Sequence, residues 1–147
     1  GSAEGVANGG YILAEAGNHQ PQVILIATGS EVAIALTARE RLEADGIATR
    51  VVSMPCREWF DAQDVAYRQR VLPTGVKARV SVEAGIAMSW RDLVGDAGES
   101  VSIEHYGASA PYQVLFEQFG FTPDHVVAAA RASLARAGAI SGTTTGN

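Results

Sequence analysis

The residues able to do chemistry lie where apolar runs stop. Val23-Ile24-Leu25-Ile26-Ala27 ends in Thr28-Gly29-Ser30, and an amphipathic run starts at Glu31. Free amides and a helix dipole converge at such a junction, which suits an anion. Ser109-Ala110-Pro111, after the run at 100–106, is a second junction of this kind, although proline removes one amide donor. Gly29, Ser30 and Ser109 are therefore the candidate anion site, a phosphate-sized pocket if both junctions face one crevice. The other reading is a plain helix cap, in which the Ser30 hydroxyl accepts from an amide of its own helix. The remaining glycines of a dinucleotide loop and the lysine of a phosphate loop are missing, which favours the cap.

Cys56 follows Pro55 at the end of another apolar run. A thiol nucleophile needs a base and an oxyanion hole. His19, His105 and His125 fall in unrelated contexts, so Cys56 reads as a small buried hydrophobe. Glu83 and Glu104 each stand near the end of a strand candidate. Two such carboxylates could share acid–base work. The alternative is a rim of charges pairing with Arg57 or Arg91, and the usual exposure of glutamate favours it. No His/Cys/Asp cluster has metal-site spacing. Trp59, Phe60, Tyr67 and Trp90 read as packing or interface residues, with Trp59-Phe60 a contact patch on the solvent side. Taken alone, these residues name no reaction.

The elements that must hold these residues follow from periodicity. A short strand is expected over 11–16. The break at 17–22 is too short for a helical crossover, so the first two strands, if neighbours, are antiparallel. The β-branched, unalternating run at 23–27 predicts a strand buried on both faces. A helix follows from Glu31 to about Asp45, with Val32, Ala35, Leu36 and Leu42 on one stripe, Arg39, Glu40 and Glu43 outside, and Gly46 as the stop. Strands are expected over 48–54, 78–84 and 100–106. Arg79, Ser81 and Glu83 alternate with apolar residues, which predicts a less buried face there. Residues 56–62 read as irregular or a single turn, 64–72 as a short helix, and 86–94 as a turn or short helix around Trp90. A buried helix is expected around Tyr112, Leu115, Phe116 and Phe119. The last helix opens at Thr122-Pro123-Asp124 and carries Val126, Val127, Ala130 and Leu134 on its stripe.

The pattern predicts an α/β fold: a three-layer α/β/α domain on a five-stranded mixed sheet, four strands parallel and one antiparallel at an edge. Residues 1–9 read as a tag or linker remnant, with Gly1-Ser2 like a cloning scar, residues 10–138 as one α/β domain, and 139–147 as a flexible tail. The opening residues have no pattern, as though the chain began in mid-protein. The net charge of −5 argues against a nucleic-acid partner. No apolar run is long enough to span a bilayer, so no membrane partner is expected. One cysteine cannot form an internal disulfide, which fits a reducing compartment such as the cytoplasm.

Several stretches, in order and spacing, resemble the C-terminal domain of transketolase. They are Ala27-Thr28-Gly29-Ser30-Glu31-Val32, Val52-Ser53-Met54-Pro55-Cys56-Arg57-Glu58, residues 67–73, Val82-Glu83-Ala84-Gly85, and Gly107-Ala108-Ser109-Ala110-Pro111 with Phe119-Gly120-Phe121-Thr122 after it. The resemblance covers about residues 10–137.

The resemblance implies a homodimeric thiamine-diphosphate enzyme of the pentose phosphate pathway. Such an enzyme moves a two-carbon ketol unit between sugar phosphates and needs Mg²⁺ or Ca²⁺. It implies three α/β domains per chain, with cofactor and metal held between the first domain of one subunit and the middle domain of the other. The third domain, the one resembled, lies outside that site and supports the dimer. The Gly-Asp-Gly…Asn pattern that holds metal and diphosphate is missing here. The resemblance therefore transfers no catalytic residue and implies no cofactor on this chain, with the first and middle domains as its partners. Two alternatives stand beside it. One is a regulatory module binding a small anion or nucleotide, and the other is the C-terminal domain of a related thiamine-diphosphate enzyme. An interaction protein using Trp59 and Phe60 is a third reading.

Overall fold

A computed structural model of the chain describes residues 3–29, 31–83, 90–102 and 122–145. Its sheet has five strands: β1 (Tyr11–Ala14), β2 (Val23–Ala27), β3 (Thr49–Ser53), β4 (Ala78–Glu83) and β5 (Glu99–Ser102). The helices are α1 (Ala3–Ala7), α2 (Glu31–Ala44), α3 (Arg57–Asp61), α4 (Val65–Val71), α5 (Arg91–Val94) and α6 (Pro123–Thr145).

β2 is the central strand, paired in parallel with β3 on one side and β4 on the other. Every residue of β2 is buried. The lack of alternation in Val23-Ile24-Leu25-Ile26-Ala27 has this cause, because both faces are covered. Val23, Leu25 and Ala27 pack with Ala35, Ala38 and Leu42 of α2 and with Val126 and Ala130 of α6. Ile24 and Ile26 point the other way, to Phe60, Val71, Trp90 and Leu93 around α3, α4 and α5. The result is the expected three-layer α/β/α arrangement.

The strand order is β1-β3-β2-β4-β5. The chain steps from β2 out to β3, then back past β2 to β4, and on to β5. Right-handed crossovers in opposite directions require helices on opposite faces. That places α2 on one face and α3, α4 and α5 on the other. Four strands are parallel, and β1 is the antiparallel edge.

β1 pairs with β3, with a bulge between Ile12 and Ala14, and not with β2. The first two strands are therefore not neighbours, and residues 15–22 cross the start of β3 instead of forming a hairpin. β4 differs from its expected half-exposed form, since Ser81 and Glu83 are buried. Arg79 on the same face is only partly exposed because its guanidinium is wrapped by carbonyls. Nε donates to Val76 O, Nη1 to Leu93 O, and Nη2 to Leu72 O and Pro73 O. An alternating polar face is here covered by loop ends that need its donors.

Both ends carry helix. Residues 3–7 are helical, and Gly9 and Gly10 are buried. A Cβ on Gly9 would fall 2.3 Å from Cys56 O and Phe60 N, and one on Gly10 would fall 2.6 Å from Met54 Sδ. This segment therefore lies directly on the start of α3. At the other end α6 runs on to Thr145. The buried helix expected around Tyr112 to Phe119 lies outside the described residues.

Candidate functional site

In a doubly wound sheet the ligand crevice opens at the carboxyl ends of adjacent parallel strands whose following helices go to opposite faces. Here those strands are β2 and β4. Their carboxyl ends bring Thr28 and Gly29 on one side and Glu83 on the other.

Gly29 is exposed and has a φ of +54°, so the chain turns there through a conformation that glycine adopts freely. The Glu31 amide donates to Thr28 O at 3.1 Å, and the Val32 amide to Gly29 O at 3.3 Å. The first two amides of α2 are thus engaged by the turn itself. Glu31 is only 5% exposed, and its Oε2 lies 3.5 Å from the place a Gly29 Cβ would occupy. A carboxylate therefore stands at the dipole-favoured end of α2. Glu83 at the end of β4 is 6% exposed, which corrects its reading as an exposed rim charge. Glu31 and Glu83 thus stand on the two sides of the crevice. Ser30 and Ser109, the other two candidates, lie outside the described residues, as does Glu104.

The remaining candidates are dispersed. Cys56 is half-buried and stands at the N-cap of α3, its amide donating to Gly9 O at 3.0 Å. Of the described histidines, His125 Nδ1 is 2.8 Å from Thr122 Oγ1 at the start of α6, and His19 sits in the 16–20 turn with a φ of +61°. Arg57 pairs with Asp92 (3.0 and 2.5 Å) and with Asp61 (3.2 Å). The Asp92 hydrogen bond, partly offset by burial, holds that guanidinium above its ordinary pKa. Trp59 and Phe60 part company: Trp59 is exposed, whereas Phe60 is buried edge-on against Tyr67, with ring centroids 6.2 Å apart. Only half of the expected solvent-side aromatic patch exists.

Sequence reasoning missed two residues that hold the strands in place. Arg50 on β3 reaches Glu15 and two carbonyls of α4, and Glu43 on α2 accepts from the Thr49 amide at 2.7 Å and the Gly17 amide at 3.2 Å. Glu43 is a junction between α2, β3 and the 15–22 crossing, not an outward charge. A lone arginine inside the apolar run Thr49–Ser53 was the one available signal for Arg50, because a charge in a buried strand requires a partner.

The family model for the transketolase-like C-terminal domain matches residues 9–122. The chain belongs to the transketolase C-terminal domain family. Among its relatives, transketolase of Mycobacterium leprae is 58% identical over 132 residues, covering 88% of this chain and 19% of the relative. Transketolase 1 of Escherichia coli is 54% identical over 126 residues, covering 86% of this chain and 19% of the relative. The chain thus spans about a fifth of the length of the curated relatives it matches. Among solved structures, transketolase from Leishmania mexicana superposes with a TM-score of 0.84 at 41% identity, over 92% of this chain and 19% of that one. A protein described as "split gene transketolase, inactive beta4 tetramer" superposes at 0.62 and 28% identity, over 88% of this chain and 43% of that one.

The likeness to solved transketolases extends to the α/β fold of the chain. Among the described residues no three His, Cys, Asp or Glu side chains converge as a metal site. No described helix is long and apolar enough to cross a membrane.

Proposed function

We propose that this chain serves as the C-terminal domain of a transketolase that moves a two-carbon ketol unit between sugar phosphates. The domain supplies no catalytic group. It supports the homodimer and braces the first and middle domains, which hold thiamine diphosphate and Mg²⁺ or Ca²⁺. The whole enzyme works in the pentose phosphate pathway of the cytoplasm. The observation that carries this reading is the match over residues 9–122 to a C-terminal domain that makes up only 19% of its relatives. The split-gene relative adds support, because a part-length transketolase polypeptide containing this fold is described as inactive.

The test is an assay of the chain with thiamine diphosphate, Mg²⁺, a ketose phosphate donor and an aldose phosphate acceptor. No ketol transfer is expected. Turnover proportional to protein concentration and absent from a mock preparation would sink the reading.

A further inference from the structure

A cavity of about 330 Å³ opens on the sheet face opposite α2, among α3, α4 and α5. It is separate from the crevice at the carboxyl ends of β2 and β4, because the β4 residue lining it is Arg79, at the start of that strand. Its apolar wall is Phe60, Leu72 and Leu93, which belong to the core on that face. Among the described residues three arginines line it, Arg57, Arg68 and Arg79, against one carboxylate, Asp61. That excess of cations stands in a chain of net charge −5, so it does not follow the general charge of the protein.

Arg57 is neutralised, since Asp61 and Asp92 take its donors. Arg68 and Arg79 are not. Both are partly buried. Arg68 Nε donates to Gln63 O at 3.0 Å, and among the described residues neither arginine meets a carboxylate. Backbone carbonyls take four of the five N–H donors of Arg79. Carbonyls satisfy hydrogen bonds but cancel no charge, and burial accordingly lowers the Arg79 pKa below its ordinary value. Partly desolvated cations without a counter-ion gain from an anion brought beside them. An apolar wall with a few charged anchors, in a cavity of this size, is also the usual form of a small-molecule site.

We infer that this cavity binds a small organic acid, its carboxylate on the Arg68 and Arg79 guanidiniums and its hydrocarbon body against Phe60, Leu72 and Leu93. A guanidinium fork matches the two oxygens of a carboxylate. Inorganic phosphate lacks the body that covers the apolar wall, and a neutral hydrocarbon lacks the charge that answers the arginines. The site uses residues of this chain alone and does not depend on ketol transfer by a parent enzyme.

The test is a set of amide NMR titrations of the chain near neutral pH at constant ionic strength. The probes are hydrocinnamate, its neutral analogue hydrocinnamyl alcohol, and inorganic phosphate. Hydrocinnamate is expected to give saturable shifts centred on Arg68, Leu72 and Leu93. The alcohol and phosphate should each bind at least about tenfold more weakly, the factor that a charge-assisted hydrogen bond or a buried ring supplies. Arg68→Gln should weaken hydrocinnamate about tenfold while amides away from the cavity keep their shifts, and Arg68→Lys should recover part of the loss. No saturation by hydrocinnamate, or shifts centred elsewhere, overturns the site. Alcohol or phosphate binding as tightly as the acid overturns it too, and so does an unchanged affinity in a folded Arg68→Gln. Should that variant unfold, the comparison of the three probes on the unaltered chain decides.

Discussion

Arg50 holds Glu15 in a two-point grip, Nε to Oε1 at 2.8 Å and Nη2 to Oε2 at 3.0 Å. Arg50 lies in buried β3, and Glu15 directly follows the antiparallel edge strand β1. The same guanidinium donates through Nη1 to Arg70 O and Val71 O at the end of α4. One side chain thus joins an edge strand, an inner strand and a helix end.

Removing that cation leaves a partly buried carboxylate and two carbonyls without their donor. Arg50→Met is expected to cost about 3–5 kcal/mol, the usual result of breaking a buried pair from one side. Arg50→Lys should recover only part, since an ammonium cannot span both carboxylate oxygens and both carbonyls. Urea midpoints measure this, and a loss below about 1 kcal/mol for Arg50→Met would refute the joining role.

Acid should weaken the fold through three carboxylates. Burial alone raises the Glu15 pKa, but the Arg50 hydrogen bond, the Ala16 amide and the charges of Arg50 and His19 together bring it below the ordinary range. The Thr49 amide leads the lowering at Glu43, and the Arg57 hydrogen bond leads it at Asp92. A depressed folded pKa means that the unfolded chain binds more protons as pH falls. The contribution is full above the unfolded carboxylate range and is lost as pH drops through the folded values. The urea midpoint should therefore decline below about pH 5. Glu15→Gln should flatten part of that decline, and an identical slope in the variant would assign the acid effect elsewhere.

Two glycine substitutions should act in opposite directions. Gly9→Ala introduces a side chain at a φ of +81° with 2.3 Å contacts to two backbone atoms, so a loss of at least about 1–3 kcal/mol is expected. Gly138→Ala lies within α6, where a methyl meets nothing within 4 Å, and should gain about 0.5–1 kcal/mol. Thermal melting of the pair against the parent checks the signs. A neutral Gly9→Ala would contradict the docking of residues 9–10 on α3.

Asp64 caps α4 by accepting from the Tyr67 amide at 2.8 Å. Asp64→Ala should cost about 1 kcal/mol, while Asp64→Asn or Asp64→Ser should retain most of the stability. Equal losses in all three variants, read from urea midpoints, would show that the charge and not the cap matters.

Much of this scaffold was legible because its signals are local. The unalternating run of β2, the stripe of α2 and the Thr122-Pro123-Asp124 start of α6 each report burial or capping within a few residues. The candidate site was less legible. Gly29 could be read as a turn. The burial of Glu31 beside it could not, because burial depends on what the rest of the chain lays over it. Glu83 was misread for the same reason.

The sequence by itself determined the α/β/α class, the parallel inner strands and the family, since period, propensity and ordered motifs are properties of the chain. Only the tertiary structure decided that β1 lies beside β3, that Arg79 and Arg50 are wrapped by carbonyls, and that Trp59 faces out while Phe60 faces in. Those outcomes depend on partners distant in sequence, as Glu15 is from Arg50 by 35 residues. The cost of burying a charge, or the gain from burying a ring, is fixed only when such partners meet.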